Sequence, residues 1–326
     1  MELLVHHRRA SDRDRQMILT VTAHAALDRV IFIDRFEPTT VMRASRVVES
    51  VGGKGLDVSV VLQTLGAPNE AVSLIAGQTG KMLASLLDGY GIRHDLVWVD
   101  GDTRTAHVIV ERDLRRHSHI ITPGFRVSQH DCERLLARVE AHLEGKRWLV
   151  MGGTLPHGAD HGLYRRVVEL GHRHGVKTLI DVAGEPALQA LPARPTILKM
   201  NRAEFASTFS QKGETMPDLA AGVRAVLQQY HLEHAIVTCG ADGILAVTGQ
   251  ETMIAQAPEQ KALNAAGAGD AVSAAVVFRL ASGDTWREAL RWAAAAGAAV
   301  VLTEGTADCR LQDIERIFPE VQVSFL

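Results

Sequence analysis

Asn264-Ala265-Ala266-Gly267-Ala268-Gly269-Asp270 sets two glycines and a carboxylate directly before an apolar run, Ala271 to Phe278, that ends near Ser282-Gly283. A helix that is apolar all round is a buried one. Its first turn keeps free backbone N–H groups and the positive end of the helix dipole. Glycines just before it let the backbone approach a ligand closely and aim several N–H groups at one point. The heptad therefore reads as an anion hole with Asp270 at its lip. A base beside an anion hole is what phosphoryl transfer to a hydroxyl needs. The competing reading is a packed loop–helix junction with Asp270 as helix cap. It is not the dinucleotide fingerprint, since Val272 stands at the third glycine position.

A second glycine-rich helix start lies far upstream: Gly52-Gly53-Lys54-Gly55-Leu56-Asp57, followed by Val58 to Leu65 and closed by Gly66. Gly55 after Lys54 excludes a phosphate-binding Walker A loop, which requires Ser or Thr there. Lys54 supplies a mobile cation for an acidic or hydroxylated ligand. Asp28 follows the first strand-like run, where open α/β sheets bind ligands. Arg104, at a strand start, has a guanidinium able to grip a sugar phosphate bidentately, or to lie on the surface.

The elements around these motifs read as an α/β chain. Residues 1–16 form a polar arm expected to be disordered, and Met17 opens the first strand and is a candidate working initiator. From Pro123 onward helix–strand units repeat, with Gly or Asp at strand ends, predicting a mostly parallel sheet with helices on both faces. Segments 30–51 and 93–122 alternate more weakly and are expected to form a small inserted β-sheet. The core is then 17–29, 52–92 and 123–326.

Composition narrows the partners. A net charge of -3 implies no nucleic acid or other polyanion. Cys132, Cys239 and Cys309 stand far apart and form neither zinc spacing nor disulfide framework, which suits a reducing cytoplasm. The alanine-rich stretch 289–302 contains Arg291 and is too short to span a bilayer, so no membrane association is expected. The first sixteen residues lack the apolar core of a signal peptide. The histidine pairs His6/His7, His117/His119 and His172/His174 sit in charged segments without metal-ligand spacing.

Together these pieces resemble the PfkB/ribokinase superfamily of carbohydrate kinases, nearest its 1-phosphofructokinase and tagatose-6-phosphate kinase branch. The resemblance covers Met17 to Thr306. It rests on Gly52-Gly53-Lys54-Gly55 and Gly267-Ala268-Gly269-Asp270, in that order and far apart, with support from Asn201-Arg202-Ala203-Glu204 and Gly240-Ala241-Asp242-Gly243. It implies a ribokinase-like three-layer α/β/α sandwich with a β-sheet lid, which in this family often packs against a second lid in a homodimer. It implies ATP and Mg²⁺, and leaves open a monovalent cation.

Residue by residue, Asp270 would be the base, and the backbone of Gly267, Ala268 and Gly269 would cradle the γ-phosphate. Asn201 and Glu204 would orient Mg²⁺ through water, and Lys199 would face the phosphates. Thr238, Gly240 and Gly243 would line the nucleotide cleft. Asp28 would hold sugar hydroxyls. Gly52, Gly53, Lys54 and Asp57 would contact the sugar, and Arg104 a phosphate upon it.

Departures from the family pattern fall mainly on the acceptor side. Asp57 replaces the usual Asn, and Val108 replaces a lid lysine. Thr-Pro-Asn-Pro-Ala-Leu-Asp has become Thr22-Ala23-His24-Ala25-Ala26-Leu27-Asp28, and Asn-Glu-Pro-Gly has become Ile121-Thr122-Pro123-Gly124. Ala265 stands where Thr is common. The expectation is an ATP-dependent kinase acting on a hydroxymethyl group of a sugar or sugar phosphate. A kinase of an unphosphorylated sugar or nucleoside stays open, as does a sensor that kept the fold and lost turnover.

Overall fold

A computed structural model describes residues 18–111, 114, 116–211 and 215–326. The expected arm at 1–16 and Met17 lie outside the described residues. In chain order the first elements are β1 (Ile18–Thr22), β2 (Ala26–Ile33), β3 (Arg46–Gly52), α1 (Lys54–Thr64), β4 (Asn69–Ala76), α2 (Gly77–Gly89), β5 (Arg93–Val99), β6 (Arg104–Glu111) and β7 (Arg116–Ile121). The helix–strand repeats follow as α3 (Gln129–Ala141), β8 (Trp148–Gly152), α4 (Leu163–Arg173), β9 (Lys177–Asp181), α5 (Gly184–Ala190), β10 (Ile197–Asn201), α6 (Arg202–Phe209), α7 (Met216–Tyr230) and β11 (His234–Thr238). The chain closes with β12 (Ile244–Val247), β13 (Thr252–Gln256), α8 (Ala268–Ala281), α9 (Trp286–Val300), α10 (Leu311–Ile317) and β14 (Gln322–Phe325).

Ten strands form the main sheet in the order β14-β13-β12-β11-β10-β9-β8-β1-β4-β5. Neighbours from β11 to β5 pair in parallel, whereas β12, β13 and β14 close one edge antiparallel. β1, β4, β8 and β9 are almost wholly buried, as strands covered on both faces must be. One apolar cluster joins a sheet face to α3, α4, α5 and α7. A second joins the other face to α1, α8, α9 and α10. The expected three-layer sandwich is present.

The small sheet has the order β3-β2-β6-β7, with its own apolar cluster of Val30, Phe32, Val108 and Val110. Its boundaries correct the sequence reading twice. β5, expected in the lid, pairs in parallel with β4 from Glu70↔Arg93 to Ala76↔Val99 and is an edge strand of the main sheet. An edge strand is half exposed, so its alternation imitates that of an open-faced sheet. In the other direction, Ala26–Arg29 belong to β2 and so to the small sheet, carrying Asp28 with them. Two contacts lock β3 to the core: Arg46 Nε lies 3.0 Å from Glu304 Oε2, and the Thr306 amide donates to Ser50 Oγ at 3.2 Å.

Candidate active site

α8 starts where the sequence reading placed it, and Asp270 through Val277 are buried. Gly267 caps it with φ 84, and a side chain there would overlap the backbone of Ala307. A Cβ on Gly269 would stand 2.8 Å from Lys199 Nζ. The two glycines thus let a fixed helix terminus and an ammonium meet at one spot, which is a seat for negative charge. The Ala268 amide donates to Ala265 O at 3.3 Å and the Asp270 amide to Gly267 O at 3.1 Å, so the turn itself already engages part of the expected cradle.

Around this turn the charges interlock. Lys54 Nζ is 2.7 Å from Asp181 Oδ1 and 3.0 Å from Glu204 Oε1. Lys199 Nζ donates to the other oxygen of Asp181 at 2.5 Å. Burial alone would lower the Lys54 ammonium, but Asp181, Glu204 and Asp270 outweigh it and hold it well above its ordinary value. Burial would likewise raise Asp181, yet Lys199 and Lys54 hold it down as a carboxylate. Asp270 goes the other way. Burial first, then the Asp181 charge, push it up to about 7, against the pull of Lys199 and Lys54. Its Oδ1 is buried and has no partner. A carboxyl so placed can take a proton near neutrality.

Lys54, expected from the resemblance to contact the sugar, is engaged here by two carboxylates, Asp181 and Glu204. Asp181 was not singled out from sequence. Its signal was an acid at the carboxyl end of a parallel strand, the same cue that flagged Asp28.

Asn201 and Glu204 form a capping box on α6. Asn201 Oδ1 accepts from the Glu204 amide at 2.8 Å, and Glu204 Oε2 accepts from the Asn201 amide at 2.8 Å. That reciprocity aims Glu204 Oε1 at Lys54. Mg²⁺ takes one or two carboxylates and fills its shell with water and phosphate. Asp181 and Glu204 offer such a pair, and the Lys54 ammonium now bridges them as a stand-in cation. The donor set therefore fits a hydrated divalent ion. Among the described residues no group of three or more His, Cys, Asp or Glu forms a protein-only cage.

On the other side of α8, Thr238, Gly240, Gly243, Ala268 and Gly269 line a cavity of about 690 Å³ with an apolar floor that includes Val272 and Gly297. This volume lies in the range of small-molecule sites. The expected nucleotide-cleft residues Thr238, Gly240 and Gly243 converge there with the α8 turn.

The acceptor-side residues also converge. Asp28 is 8% exposed, and its carboxyl packs so tightly on Gly52 that a side chain at Gly52 would overlap it. Burial pushes Asp28 up to about 6, against Thr306 and Arg104. Gly53 caps α1, whose first turn buries Asp57. Burial, then Asp270 and Asp28, push Asp57 well above its usual range. Arg104 donates to His24 O at 2.9 Å and to Thr154 Oγ1 at 3.2 Å. Thr22 Oγ1, His24 Nε2, Asp57 Oδ1, Asp270 Oδ1 and Arg104 Nε are all buried without partners. Buried polar atoms ordinarily find partners, so this concentration marks where a polar ligand would supply them. Val108, at the family's lid-lysine position, is fully buried in the lid's apolar cluster.

A cleft of about 690 Å³ and a group of buried carboxyl, imidazole and guanidinium side chains thus flank one helix N-terminus that carries a buried carboxyl. The sequence profile of the pfkB family of carbohydrate kinases matches residues 19–313, and the chain belongs to that family. It is 28% identical over 309 residues to the ATP-dependent 6-phosphofructokinase isozyme 2 of Mycobacterium tuberculosis, covering 95% of this chain and 91% of that protein. It is 28% identical over 310 residues to the D-tagatose-1-phosphate kinase of Bacillus licheniformis, covering 95% and 100%. A solved Thermotoga maritima structure described as a possible 1-phosphofructokinase superposes with a TM-score of 0.87 at 25% identity, over 95% of this chain and 100% of that one.

Proposed function

We propose that this protein transfers the γ-phosphate of ATP to a hydroxymethyl group of a sugar phosphate, with Asp270 as the base. One observation carries the reading. Asp270 is buried in the first turn of α8 with one oxygen unpartnered, its carboxyl pushed up to about 7, near Lys54 and Lys199 at the positive end of the helix. The named relatives act on phosphorylated ketohexoses, which supports the acceptor class.

ATP would lie in the Thr238–Gly243 cleft with its terminal phosphate against Gly267–Gly269. Asp28, Gly52, Gly53 and Asp57 would hold the sugar so that its hydroxyl faces Asp270. Asp270 takes the hydroxyl proton as the oxygen attacks phosphorus. Lys54 and Lys199 neutralise charge on the moving group, which a loose phosphoryl transition state requires more than covalent help. Mg²⁺ held through water by Asp181, Glu204 and Asn201 would supply further neutralisation at the phosphates. The small sheet would act as a lid that excludes water and so prevents idle hydrolysis of ATP. We further propose a cytoplasmic homodimer joined through the lid sheets, and a monovalent cation near the α8 loop remains part of this reading. No described helix is long and apolar enough to cross a membrane.

The test is ATP consumption against a panel of sugars, sugar phosphates and nucleosides, using wild type and Asp270→Ala. A loss of about 10³–10⁴ in kcat with ATP binding retained is expected. Full turnover in Asp270→Ala would reject the mechanism, and no ATP consumption by wild type on any acceptor would favour a sensor.

A further inference from the structure

Tyr164, the second residue of α4, is the bulkiest fully buried side chain among the described residues, and the chemistry above does not use it. Its ring belongs to the apolar cluster on the α4 side of the sheet. Its hydroxyl reaches the carboxyl end of β8, where Oη donates to Gly152 O at 3.0 Å and to Gly153 O at 3.2 Å. One acceptor would satisfy a buried phenol; this one is shared between two neighbouring carbonyls. Burial holds the phenol well above its ordinary value, against the pull of Lys54 and Arg104. It therefore keeps its proton, and stays a donor, across the working pH range.

Gly152 and Gly153 are the surface on which Lys54 lies. A Cβ on Gly152 would stand 3.0 Å from Lys54 Cβ, 2.9 Å from Asp181 O and 3.1 Å from Asp181 Cβ. A Cβ on Gly153 would be 3.9 Å from both Cβ and Cγ of Lys54, and its φ of 92 turns the chain out of the sheet. The Gly153 amide donates to Asp181 O at 3.0 Å. One dipeptide thus supports the stem of Lys54 and the backbone of Asp181, the two sides of the ion pair. A lysine ammonium rides on a flexible four-carbon stem, so its position is only as fixed as what the stem rests on. Tyr164 holds that support from the opposite side.

We propose that Tyr164 is a positioning residue for phosphoryl transfer: its hydroxyl pins the Gly152 and Gly153 carbonyls, and through them sets where Lys54 meets Asp181 beside the α8 turn. This rests on the kinase reading above. A loose phosphoryl transition state depends on the placement of charge more than on covalent help. A misplacement of about 1 Å in such a group can cost about 10²-fold in rate. Tyr164 would act without touching either substrate. A hydroxyl that served the fold alone would add stability and leave the Lys54 ammonium where it is, and that difference can be measured.

The experiment reads the lysine and the turnover separately, on the full chain. Tyr164→Phe keeps the ring and removes the hydroxyl, and denaturant unfolding confirms that the variant is folded. The Lys54 ammonium is followed by NMR of protein labelled with ¹⁵N-lysine, its signal assigned by its absence from Lys54→Met. That signal should shift or broaden in Tyr164→Phe. Placing p-aminophenylalanine at position 164, which keeps the ring and returns N–H donors to the two carbonyls, should bring it back toward the wild-type position. In turnover assays kcat should fall about ten- to a hundredfold in Tyr164→Phe. KM for ATP and for the acceptor should hold, as when an interaction made in the transition state is lost. Added to Lys54→Met, the same substitution should change kcat by less than about twofold, because the route through Lys54 is already gone. An unmoved Lys54 signal in folded Tyr164→Phe, or effects on kcat that multiply in the double variant, overturns the inference. A wild type without turnover on any acceptor counts against the kinase reading, and the Lys54 signal then decides this inference alone.

Discussion

Lys54 Nζ and Asp181 Oδ1 are 2.7 Å apart across 127 positions of sequence. The contact ties the glycine-rich start of α1 to the carboxyl end of β9. Through the second oxygen of Asp181 it reaches Lys199 and the α8 turn. The acceptor half and the nucleotide half thus share one buried charge network.

Replacing Lys54 should hurt catalysis more than folding. In Lys54→Met, Asp181 keeps Lys199, but Glu204 and Asp270 lose a neighbouring cation. A fall in kcat of about 10²–10³ is expected, in line with the loss of one preorganised charge donor. In Asp181→Ala the ordering reverses. Lys199 is 3% exposed and would be left buried without this partner, so about 3–5 kcal/mol of stability should be lost. Steady-state kinetics and denaturant unfolding on both variants check this. Equal effects on kcat and on stability would contradict the assignment.

How much of this was legible follows from the range of the physics involved. The start of α8 is local: Gly267, Gly269 and Asp270 and the apolar run after them sit within one segment, and a buried helix does begin there. The Asn201–Glu204 pair was also local, although its capping-box role, which aims Glu204, emerged only from geometry. The pairing of Lys54 with Asp181 was not legible, because that partner is contributed by a distant strand. β5 was assigned to the lid because edge burial alternates in either sheet. His24 showed in the sequence only as part of a departure from the family pattern; its burial and its unpaired Nε2 are tertiary facts.

Asp270 and Asp28 make activity and stability oppose each other along the pH axis. Their folded values of about 7 and about 6 lie above the ordinary carboxylate value, so the fold binds extra protons. Their stabilising protonation is fully present below about pH 4 and is lost as pH rises through 6 to 7. The base form of Asp270 grows over the same interval, so kcat/KM should rise toward an acidic limb near pH 7. Asp270→Asn should therefore raise the melting temperature at pH 8, with the gain shrinking toward pH 4. Thermal scans across that range test the sign. A constant gain at every pH would assign the effect to something other than ionisation.

The lid's edge strands bear on assembly. Val47 on β3 and Ile120 and Ile121 on β7 are each more than half exposed, and these two strands are the unpaired edges of the small sheet. Exposed apolar strand edges invite pairing with another chain. Val47→Glu combined with Ile120→Glu should convert a dimer to monomer in sedimentation, and should raise KM for the acceptor before that for ATP. A monomeric wild type would remove the lid-to-lid dimer from consideration.

Asp57 is the sharpest departure on the acceptor side, an acid where an amide is usual in the family. It is buried among Asp28, Asp270 and Arg104, and burial with those two acids keeps its proton on well above the ordinary carboxylate range. While protonated it can stand in for an amide donor. Once ionised it faces the acceptor with a charge of the same sign as a phosphate, and repulsion follows. Asp57→Asn should therefore raise kcat/KM for fructose 1-phosphate or tagatose 6-phosphate, and the gain should widen as pH rises, since only the wild type acquires the charge. The measurement is the ratio of variant to wild-type kcat/KM from pH 6 to 9. A rising ratio supports a phosphorylated acceptor beside Asp57. A flat ratio near one, together with good wild-type turnover of an unphosphorylated sugar or nucleoside, would mean that the acceptor is neutral and that the acid at position 57 was retained to bind its hydroxyls.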